Sequence, residues 1–189
     1  SEHTKSSVFR GHVSFDDLAD GLQTRLAALK AAGKISLAPF SMDVIVHSTG
    51  GPVIRHWLSH HVGTECGGDH AQCPIARLIM LAPANFGSRL AAQGKSALAK
   101  VFRGGVSHGF MTGRRILEGL ELGSPTLWRM AEHDLFCDKA VYPAGPRGPW
   151  VFVFSGTDTY GELKGFVAKG AAEDGSDGTI RASAAALDS

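Results

Sequence analysis

A short apolar strand that runs directly into a turn of small residues and then into a helix most constrains the fold. Met42-Asp43-Val44-Ile45-Val46 is rich in β-branched residues, as buried strands are. His47-Ser48-Thr49-Gly50-Gly51 follows, and Pro52 then suits the first turn of a helix that we expect to reach about Val62. A strand, a tight turn and a helix in this order are typical of an α/β protein with a parallel sheet.

The rest of the chain continues the alternation of helix and strand. Upstream, Ser14 and Asp17 form a capping-box pattern ahead of a stripe of leucines, and Gly33 closes the predicted helix. Downstream, the apolar runs 78–81 and 150–154 are predicted strands. With 189 residues the chain is long enough for one domain with a substantial core. We therefore expect a single α/β domain in which a mostly parallel sheet carries helices on both faces.

Charge and composition exclude several classes of protein. The chain has 19 basic and 18 acidic side chains and no basic stripe, so nucleic acid is not an expected partner. The sequence contains no run of about 18 uninterrupted apolar residues, so it predicts no membrane-spanning helix. The first residues have no apolar segment of the kind found in signal peptides, and the sequence does not begin with Met, so the location is left open.

Ser48 lies where a strand-to-helix turn would hold a nucleophile. A serine at such a turn is held in a strained, exposed position with its Oγ directed away from the backbone. The N-terminus of the following helix favours developing negative charge, and the Thr49 N–H would face the oxyanion of a tetrahedral intermediate. The alternative is an ordinary serine in a glycine-rich turn. The strand before it and the helix after it favour the nucleophile.

Three motifs resemble those of the lipase and esterase branch of the α/β-hydrolase family. His47-Ser48-Thr49-Gly50-Gly51 is similar to the His-Ser-x-Gly-Gly nucleophile elbow of that branch. Leu81-Ala82-Pro83-Ala84-Asn85-Phe86-Gly87-Ser88 resembles the stretch that follows the next strand in lipases. Gly175-Ser176-Asp177-Gly178-Thr179-Ile180 resembles the acidic loop of bacterial lipases and of lecithin–cholesterol acyltransferase relatives. The motifs occur in the family's order, so the resemblance covers most of the chain.

By this resemblance Ser48 is the nucleophile, Thr49 supplies an oxyanion N–H, and Asp177 is the triad acid that orients a histidine. Asp158, which follows the predicted strand 150–154, is the rival acid. The implied function is a serine ester hydrolase of lipase or phospholipase type. It acts on an ester or lipid substrate through an acyl-enzyme and needs neither cofactor nor metal. The alternatives are an acyltransferase with the same triad and a non-catalytic binding module built on the hydrolase fold.

The chain departs from the family pattern in what flanks these motifs. Val46 stands where the pattern Gly-x-Ser-x-Gly has its first glycine, and no histidine follows Asp177, since the last one is His133. The strand and loop that normally precede the elbow and supply a second oxyanion donor are also missing. We therefore expect the chain to be an internal piece of a longer hydrolase that is inactive when isolated.

The resemblance also divides the domain into three segments. Residues 1–83 would form the hydrolase core with the elbow, 84–149 a helical cap or lid insertion, and 150–189 the last strand and acid loop. A lid would expose its apolar side chains to a membrane or micelle, although the same helical spacing is typical of ordinary core. The side chains concerned are Phe102, Phe110, Met111, Ile116, Leu117, Leu120, Trp128 and Met130.

A group of histidines, cysteines and one aspartate after the elbow has the residue types of a metal site. Its members are His56, His60, His61, Cys66, Asp69, His70 and Cys73. Cys66-x3-His70-x2-Cys73 lacks the paired Cys-x-x-Cys spacing of common structural zinc sites. We interpret the group as solvated histidines with a Cys66–Cys73 disulfide, and predict no metal ligands. His47 is expected to point into the fold.

Overall fold

The computed structural model describes residues 13–63, 70–92, 114–136, 142, 148–156 and 180–187. Helix labels below count the helices within these residues. In chain order the elements are α1 (Phe15–Ala31), β1 (Met42–His47), α2 (Gly50–Trp57), a π-helical turn (Leu58–Val62), a 3-10 turn (His70–Gln72), β2 (Ile75–Leu81), α3 (Arg89–Ala92), α4 (Arg114–Gly119), α5 (Pro125–Asp134), β3 (Trp150–Phe154) and α6 (Ala182–Ala185). The predicted strands are confirmed, although β2 begins at Ile75 rather than at Leu78.

The three strands form a parallel sheet in the order β1-β2-β3. Val44, Leu78 and Val151 occupy one row across the sheet, and Val46, Met80 and Val153 occupy the next row on the same face. Parallel neighbours need a crossover connection, which α2 and the π-helical turn supply between β1 and β2. The predicted parallel sheet is therefore confirmed.

Helices α1 and α2 cover this face of the sheet. Helix α1 begins at the predicted capping box, in which the Asp17 N–H donates to the Ser14 hydroxyl at 3.3 Å and the Ser14 N–H donates to the Asp17 carboxylate at 2.7 Å. The first hydrophobic cluster joins both helices to the sheet. Its buried members are Ala19, Ile54, Trp57, Leu58, Cys73, Ile75, Leu78 and Met80.

The opposite face of the sheet is exposed within the described part of the chain. It carries the large apolar side chains Ile45, Leu81, Trp150, Phe152 and Phe154. His47 lies in the same row as Leu81 and Phe154, and its side chain is exposed. The expectation that His47 points into the fold is therefore wrong, because strand alternation turns it away from the helices.

A second hydrophobic cluster joins α4, α5 and α6 to the loop after β2. Ser124 caps α5, as its Ser-Pro pattern predicts, by accepting a hydrogen bond from the Leu127 N–H at 3.3 Å. Ile116, Leu117, Leu120 and Met130 are buried here, whereas Trp128 is exposed. Phe102, Phe110 and Met111 lie outside the described residues. These four buried side chains, which a lid would expose, are therefore core, and the lid itself stays a prediction.

Two fully buried charges connect the two clusters. Arg55 on α2 donates to both carboxylate oxygens of Asp134 at the end of α5, at 2.7 and 2.8 Å, and neither side chain is exposed. A third Arg55 N–H donates to the Asn85 carbonyl at 2.8 Å, and the Tyr142 hydroxyl donates to Asp134 at 3.2 Å. The guanidinium also lies 5.7 Å from the centre of the Phe86 ring. This network joins α2, α5 and the loop after β2.

The network keeps both charges in place despite their removal from water. Burial lowers the pKa of Arg55, but the hydrogen bonds and negative charge of Asp134 outweigh burial and leave the pKa above its ordinary value. Burial, followed by the charge of Asp134, raises the pKa of Tyr142 well above its ordinary value. Tyr142 therefore stays a neutral donor to Asp134, and Arg55 stays charged across the physiological range.

Cys73 is a free, buried thiol. Its Sγ donates to the Ile75 carbonyl at 3.7 Å, and burial raises the pKa of the thiol. The expected Cys66–Cys73 disulfide is therefore absent, and Cys73 acts as a small apolar residue in the first cluster. Among the helices of the described residues, none is long and apolar enough to cross a membrane.

The buried pair can be tested by changing one or both partners. Asp134→Ala should lower the free energy of unfolding by about 3–5 kcal/mol, because it leaves an uncompensated buried guanidinium. The double variant Arg55→Met with Asp134→Leu should recover most of that loss, since no buried charge remains. Urea unfolding followed by circular dichroism measures both effects.

The exposed pair between Asp43 and Arg77 provides the control. Arg77 Nε donates to Asp43 at 2.8 Å, but the Arg77 side chain is 61% exposed and the Asp43 side chain is 48% exposed. Arg77→Ala should therefore cost far less stability than Asp134→Ala. An Asp134→Ala variant as stable as Arg77→Ala would show that the buried pair does not hold the two clusters together.

Candidate active site

Ser48 occupies the turn between β1 and α2 in a left-handed conformation. Its φ is 53°, a region that residues other than glycine seldom adopt and that costs about 1–3 kcal/mol. Its N–H donates to the Leu81 carbonyl at the end of β2, at 3.1 Å. The residue is 7% exposed. The backbone strain expected of a nucleophile turn is thus present at the predicted serine.

Backbone hydrogen bonds hold the turn against the loop after β2. The Ser48 carbonyl accepts from the N–H groups of Gly51 and Ala84, both at 3.1 Å. The first of these bonds closes the turn into α2, and the second fixes its distance from the neighbouring loop. The turn is therefore shaped by β2 and the following residues as well as by its own sequence.

The glycines after Ser48 are required by close approaches. A Cβ on Gly50 would lie 3.1 Å from the Cβ of Val46, so the turn accommodates Val46 because the residue opposite it has no side chain. A Cβ on Gly51 would lie 2.7 Å from Cβ of Pro83 and 2.9 Å from Oδ1 of Asn85. The departure at Val46 is thus compatible with the elbow geometry, and Gly51 allows the loop after β2 to pack on the start of α2.

Thr49 precedes the first residue of α2 and is half-buried. Its φ of −57° and ψ of −21° are helical, so the chain enters the helix directly after Ser48. The N–H groups at a helix start have no intrahelical acceptors and carry the positive end of the helix dipole. An N–H at this position suits an anionic oxygen close to the serine.

The loop after β2 also holds the C-terminal segment. Asn85 is fully buried, and its Nδ2 donates to the Ala185 carbonyl at 2.7 Å. The Phe86 N–H donates to the Ala184 carbonyl at 2.9 Å. Ile180, the last residue of the acid-loop motif, is 1% exposed in the second cluster. The end of the predicted acid loop is therefore anchored to the same loop that contacts Ser48.

The structure brings together only part of the predicted site. Ser48 and Thr49 lie at the turn as predicted, whereas Asp177 and Asp158 lie outside the described residues. Within the part of the chain that the structure describes, no acid or histidine is hydrogen-bonded to the Ser48 hydroxyl. The assignment of the triad acid and of the base accordingly stays a prediction.

Sequence reasoning did not identify the residues that position the turn. The pairing of Arg55 with Asp134 and the anchoring role of Asn85 were both missed. One signal was present, since Arg55 lies between Ile54 and the large apolar Trp57 on a helix with a buried face. A charged residue on such a face indicates a buried partner, but it does not identify that partner.

A cleft of about 450 Å³ lies beside β3 and α6. Val151, Val153, Ser155, Ala182 and Leu187 are among its lining residues. Neither Ser48 nor Thr49 belongs to this lining, so the cleft is separate from the nucleophile turn. We therefore do not assign it to the substrate acyl chain.

Solved structures of lipid-cleaving enzymes resemble this chain. Phospholipase PlaB from Legionella pneumophila matches with a TM-score of 0.71 and 32% identity, over 93% of this chain and 35% of that chain. The same phospholipase in complex with thio-NAD matches with a TM-score of 0.70 and 31% identity, over 93% and 33% of the two chains. Lipase BlEst2 from Bacillus licheniformis in its mature form has a TM-score of 0.56 at 16% identity, over 92% and 62%, a likeness that shows the fold alone.

No family model and no curated protein sequence matches the chain. The chain spans about a third of the length of the Legionella phospholipase, 35%, while nearly all of its own residues are matched. The α/β-hydrolase fold expected from the three motifs is confirmed by these structures together with the parallel sheet.

The strain at Ser48 makes a prediction about stability. Ser48→Gly should be about 1 kcal/mol more stable than Ser48→Ala, because glycine adopts a positive φ without steric cost and both variants lack the hydroxyl. At Thr49, which has helical angles, the order should reverse, and Thr49→Gly should be the less stable variant. Urea denaturation of the four proteins measures the two differences. Equal stabilities for the two Ser48 variants would contradict the left-handed turn.

Proposed function

We propose that this chain, an α/β-hydrolase of the lipase and phospholipase type, carries the nucleophile of a serine hydrolase that cleaves lipid esters. The observation that carries the proposal is the left-handed Ser48 between a parallel strand and the N-terminus of α2. The 32% identity to the Legionella phospholipase over 93% of this chain supports the substrate class. Neither part of the proposal needs a cofactor or a metal.

In the proposed reaction the Ser48 Oγ attacks the acyl carbonyl carbon and passes its proton to a histidine. The Thr49 N–H stabilises the oxyanion of the tetrahedral intermediate. The C–O bond to the leaving alcohol then breaks, and the alcohol takes the proton from the imidazolium. Water hydrolyses the acyl-enzyme by the same steps. No histidine follows Asp177 in these 189 residues, so the base of this reaction is not assigned to a residue.

Asp177 is the proposed triad acid, in preference to Asp158. Asp177 lies three positions before the buried Ile180, a distance of at most about 10 Å in an extended chain. Ile180 belongs to the same cluster as Ala84, whose N–H donates to the Ser48 carbonyl. This anchoring supports a position of Asp177 near the nucleophile turn. Asp158 lies four residues beyond Phe154, whose carbonyl accepts a hydrogen bond from the Ala82 N–H of the same loop at 2.7 Å, so it remains the rival acid. Asp177 is preferred because it belongs to the acid-loop motif.

A patch of three aromatic rings supports contact with a lipid surface. The Trp128 ring lies 5.7 Å from Phe86 and 5.7 Å from Phe136, measured between ring centres. Trp128 and Phe136 are 49% and 47% exposed. Phe86 belongs to the loop that also contacts Ser48 through Ala84. We propose that this aromatic patch, within the predicted insertion 84–149, docks the enzyme on a membrane or micelle.

Fluorophosphonate labelling with peptide mapping tests the nucleophile. The probe reacts with a serine that is activated by a base and an oxyanion hole. The natural full-length protein should be labelled at Ser48, and Ser48→Ala should abolish labelling. Asp177→Asn should slow the reaction by up to about 10⁴-fold, as loss of a triad acid does. Asp158→Asn is the matched control and should leave the rate unchanged.

Each outcome separates the alternatives. If Asp158→Asn slows labelling and Asp177→Asn does not, Asp158 is the acid. No labelling of a folded full-length protein would leave a non-catalytic hydrolase-fold module. If labelling occurs and an added alcohol captures the acyl group in preference to water, the enzyme is an acyltransferase. The isolated 189-residue chain should be labelled weakly.

The aromatic patch makes a separate prediction about interfaces. Trp128→Ala should reduce hydrolysis of micellar or vesicle substrates and leave hydrolysis of a soluble short-chain ester unchanged, because it removes the apolar contact and not the reacting groups. Trp150→Ala is the matched control, since Trp150 is 56% exposed on the open face of the sheet. Equal losses on both substrates would contradict interfacial docking.

A further inference from the structure

Polar side chains from three helical segments meet in a cleft away from the nucleophile turn. The cleft has a volume of about 250 Å³ and lies where α1, the end of α2 and α5 come together. Seven of the residues that line it are polar or charged. They are Asp16, His56, Ser59, His60, Thr126, Arg129 and His133.

Three of these side chains are arranged as metal ligands. One ligand atom each from Asp16, His56 and His60 lies within 4.8 Å of the other two. His56 Nε2 is 2.6 Å from Asp16 Oδ1, and the two imidazole rings stack with their centres 3.9 Å apart. Tetrahedral zinc with bonds of about 2.0–2.1 Å needs ligand atoms about 3.3 Å apart. Small side-chain rotations therefore suffice to close the set around an ion.

The surroundings already orient His60 for this role. Its Nδ1 lies 3.2 Å from the His56 carbonyl oxygen, which can only accept a hydrogen bond. Nδ1 must therefore carry the proton, which leaves the lone pair of the neutral ring on Nε2. Metal-bound histidines commonly make this second hydrogen bond, because it fixes both the tautomer and the ring orientation.

His56 and Asp16 offer the remaining nitrogen and oxygen ligands. The His56 side chain is 14% exposed, and burial lowers the pKa of its ring, which favours the neutral form that binds metals. The Asp16 side chain is 71% exposed and supplies a negative charge. Arg129 is the opposing cation in the cleft, while His133 adds a further imidazole.

Ser59 supplies an independent observation at the same place. The residue is 2% exposed, and its Oγ is buried with no hydrogen-bond partner among the described residues. A buried hydroxyl without a partner costs about 1–3 kcal/mol. Ser59 lines the cleft between His56 and His60 in sequence, so a water bound to an ion there would give the hydroxyl a partner.

We propose that Asp16, His56 and His60 bind one zinc ion, with water completing a tetrahedral set. The ion takes the place of the hydrogen bond between His56 Nε2 and Asp16 Oδ1, and the neutral ring, when bound through Nε2, carries its one proton on Nδ1 after exchange with solvent. Two imidazoles and a carboxylate are ligands that suit zinc. The ion links the start of α1 to the end of α2 and is independent of Ser48 chemistry. The ligand set differs from the His/Cys group of the sequence analysis, with which it shares only His56 and His60.

Zinc titration of the metal-free 189-residue chain, without an affinity tag, tests the site. Competition with a chromophoric chelator should give one zinc per chain, and His60→Ala should weaken binding by at least about tenfold. This variant leaves the Asp16–His56 pair in place. His61→Ala is the matched control, because His61 Nε2 pairs with Asp20 at 2.8 Å between the same helical segments but has no third ligand in the group.

X-ray absorption of the zinc-loaded chain should show nitrogen and oxygen neighbours at about 2.0–2.1 Å with two imidazoles. Zinc should also raise the melting temperature of wild type and of His61→Ala, but not that of His60→Ala. Absence of stoichiometric binding would overturn the proposal. Equal binding by His60→Ala and wild type would also overturn it. If His60→Ala does not fold, His60→Gln replaces it in the titration. An X-ray absorption spectrum of wild type that shows a number of imidazole ligands other than two would also overturn the proposal.

Discussion

One buried pair of charges, Arg55 and Asp134, joins the elements around the turn at Ser48. Each charge alone would be strongly unfavourable out of water, so the two side chains must stay in contact with each other. Arg55 belongs to α2, which begins directly after Ser48, and it also bonds to the Asn85 carbonyl in the loop after β2. Because the partners are hydrogen-bonded at several points, α2, α5 and that loop are joined as one unit.

That unit explains how the turn maintains its strain. Ser48 adopts a left-handed conformation that its own side chain disfavours, yet its N–H donates to the Leu81 carbonyl and its carbonyl accepts from the N–H groups of Gly51 and Ala84, which fixes the turn from both sides. Because Gly51 has no side chain, the loop after β2 packs against α2 where the Cβ of any other residue would clash with it. Strain of this kind persists where the surrounding structure fixes the backbone at several points, and strained residues cluster at active sites. The left-handed conformation of Ser48 is therefore a product of the scaffold.

Local elements were predictable because their causes lie close together in the sequence. The capping box of Ser14 and Asp17, the Ser124-Pro125 helix start and the β-branched run ahead of Ser48 each depend on a few adjacent residues. Whether the apolar side chains of the segment 84–149 form a lid surface or part of the core was not predictable in the same way. A helical apolar stripe looks alike whether it packs on a core or covers a site, and only the packing of α4 and α5 against α6 and the loop after β2 identified core.

The sequence by itself determined the order of helices and strands, the place of the nucleophile turn and the resemblance to lipases, because these follow from neighbouring residues and short motifs. Only the tertiary structure decided which distant side chains meet. Arg55 and Asp134 are 79 residues apart, and His56 and Asp16 are 40 apart. Nothing in local spacing specifies such pairs, since their cause is the packing of helices that bury them together. The same packing left Cys73 a buried thiol and decided which face of β1 the helices cover, so strand alternation leaves His47 exposed on the other face.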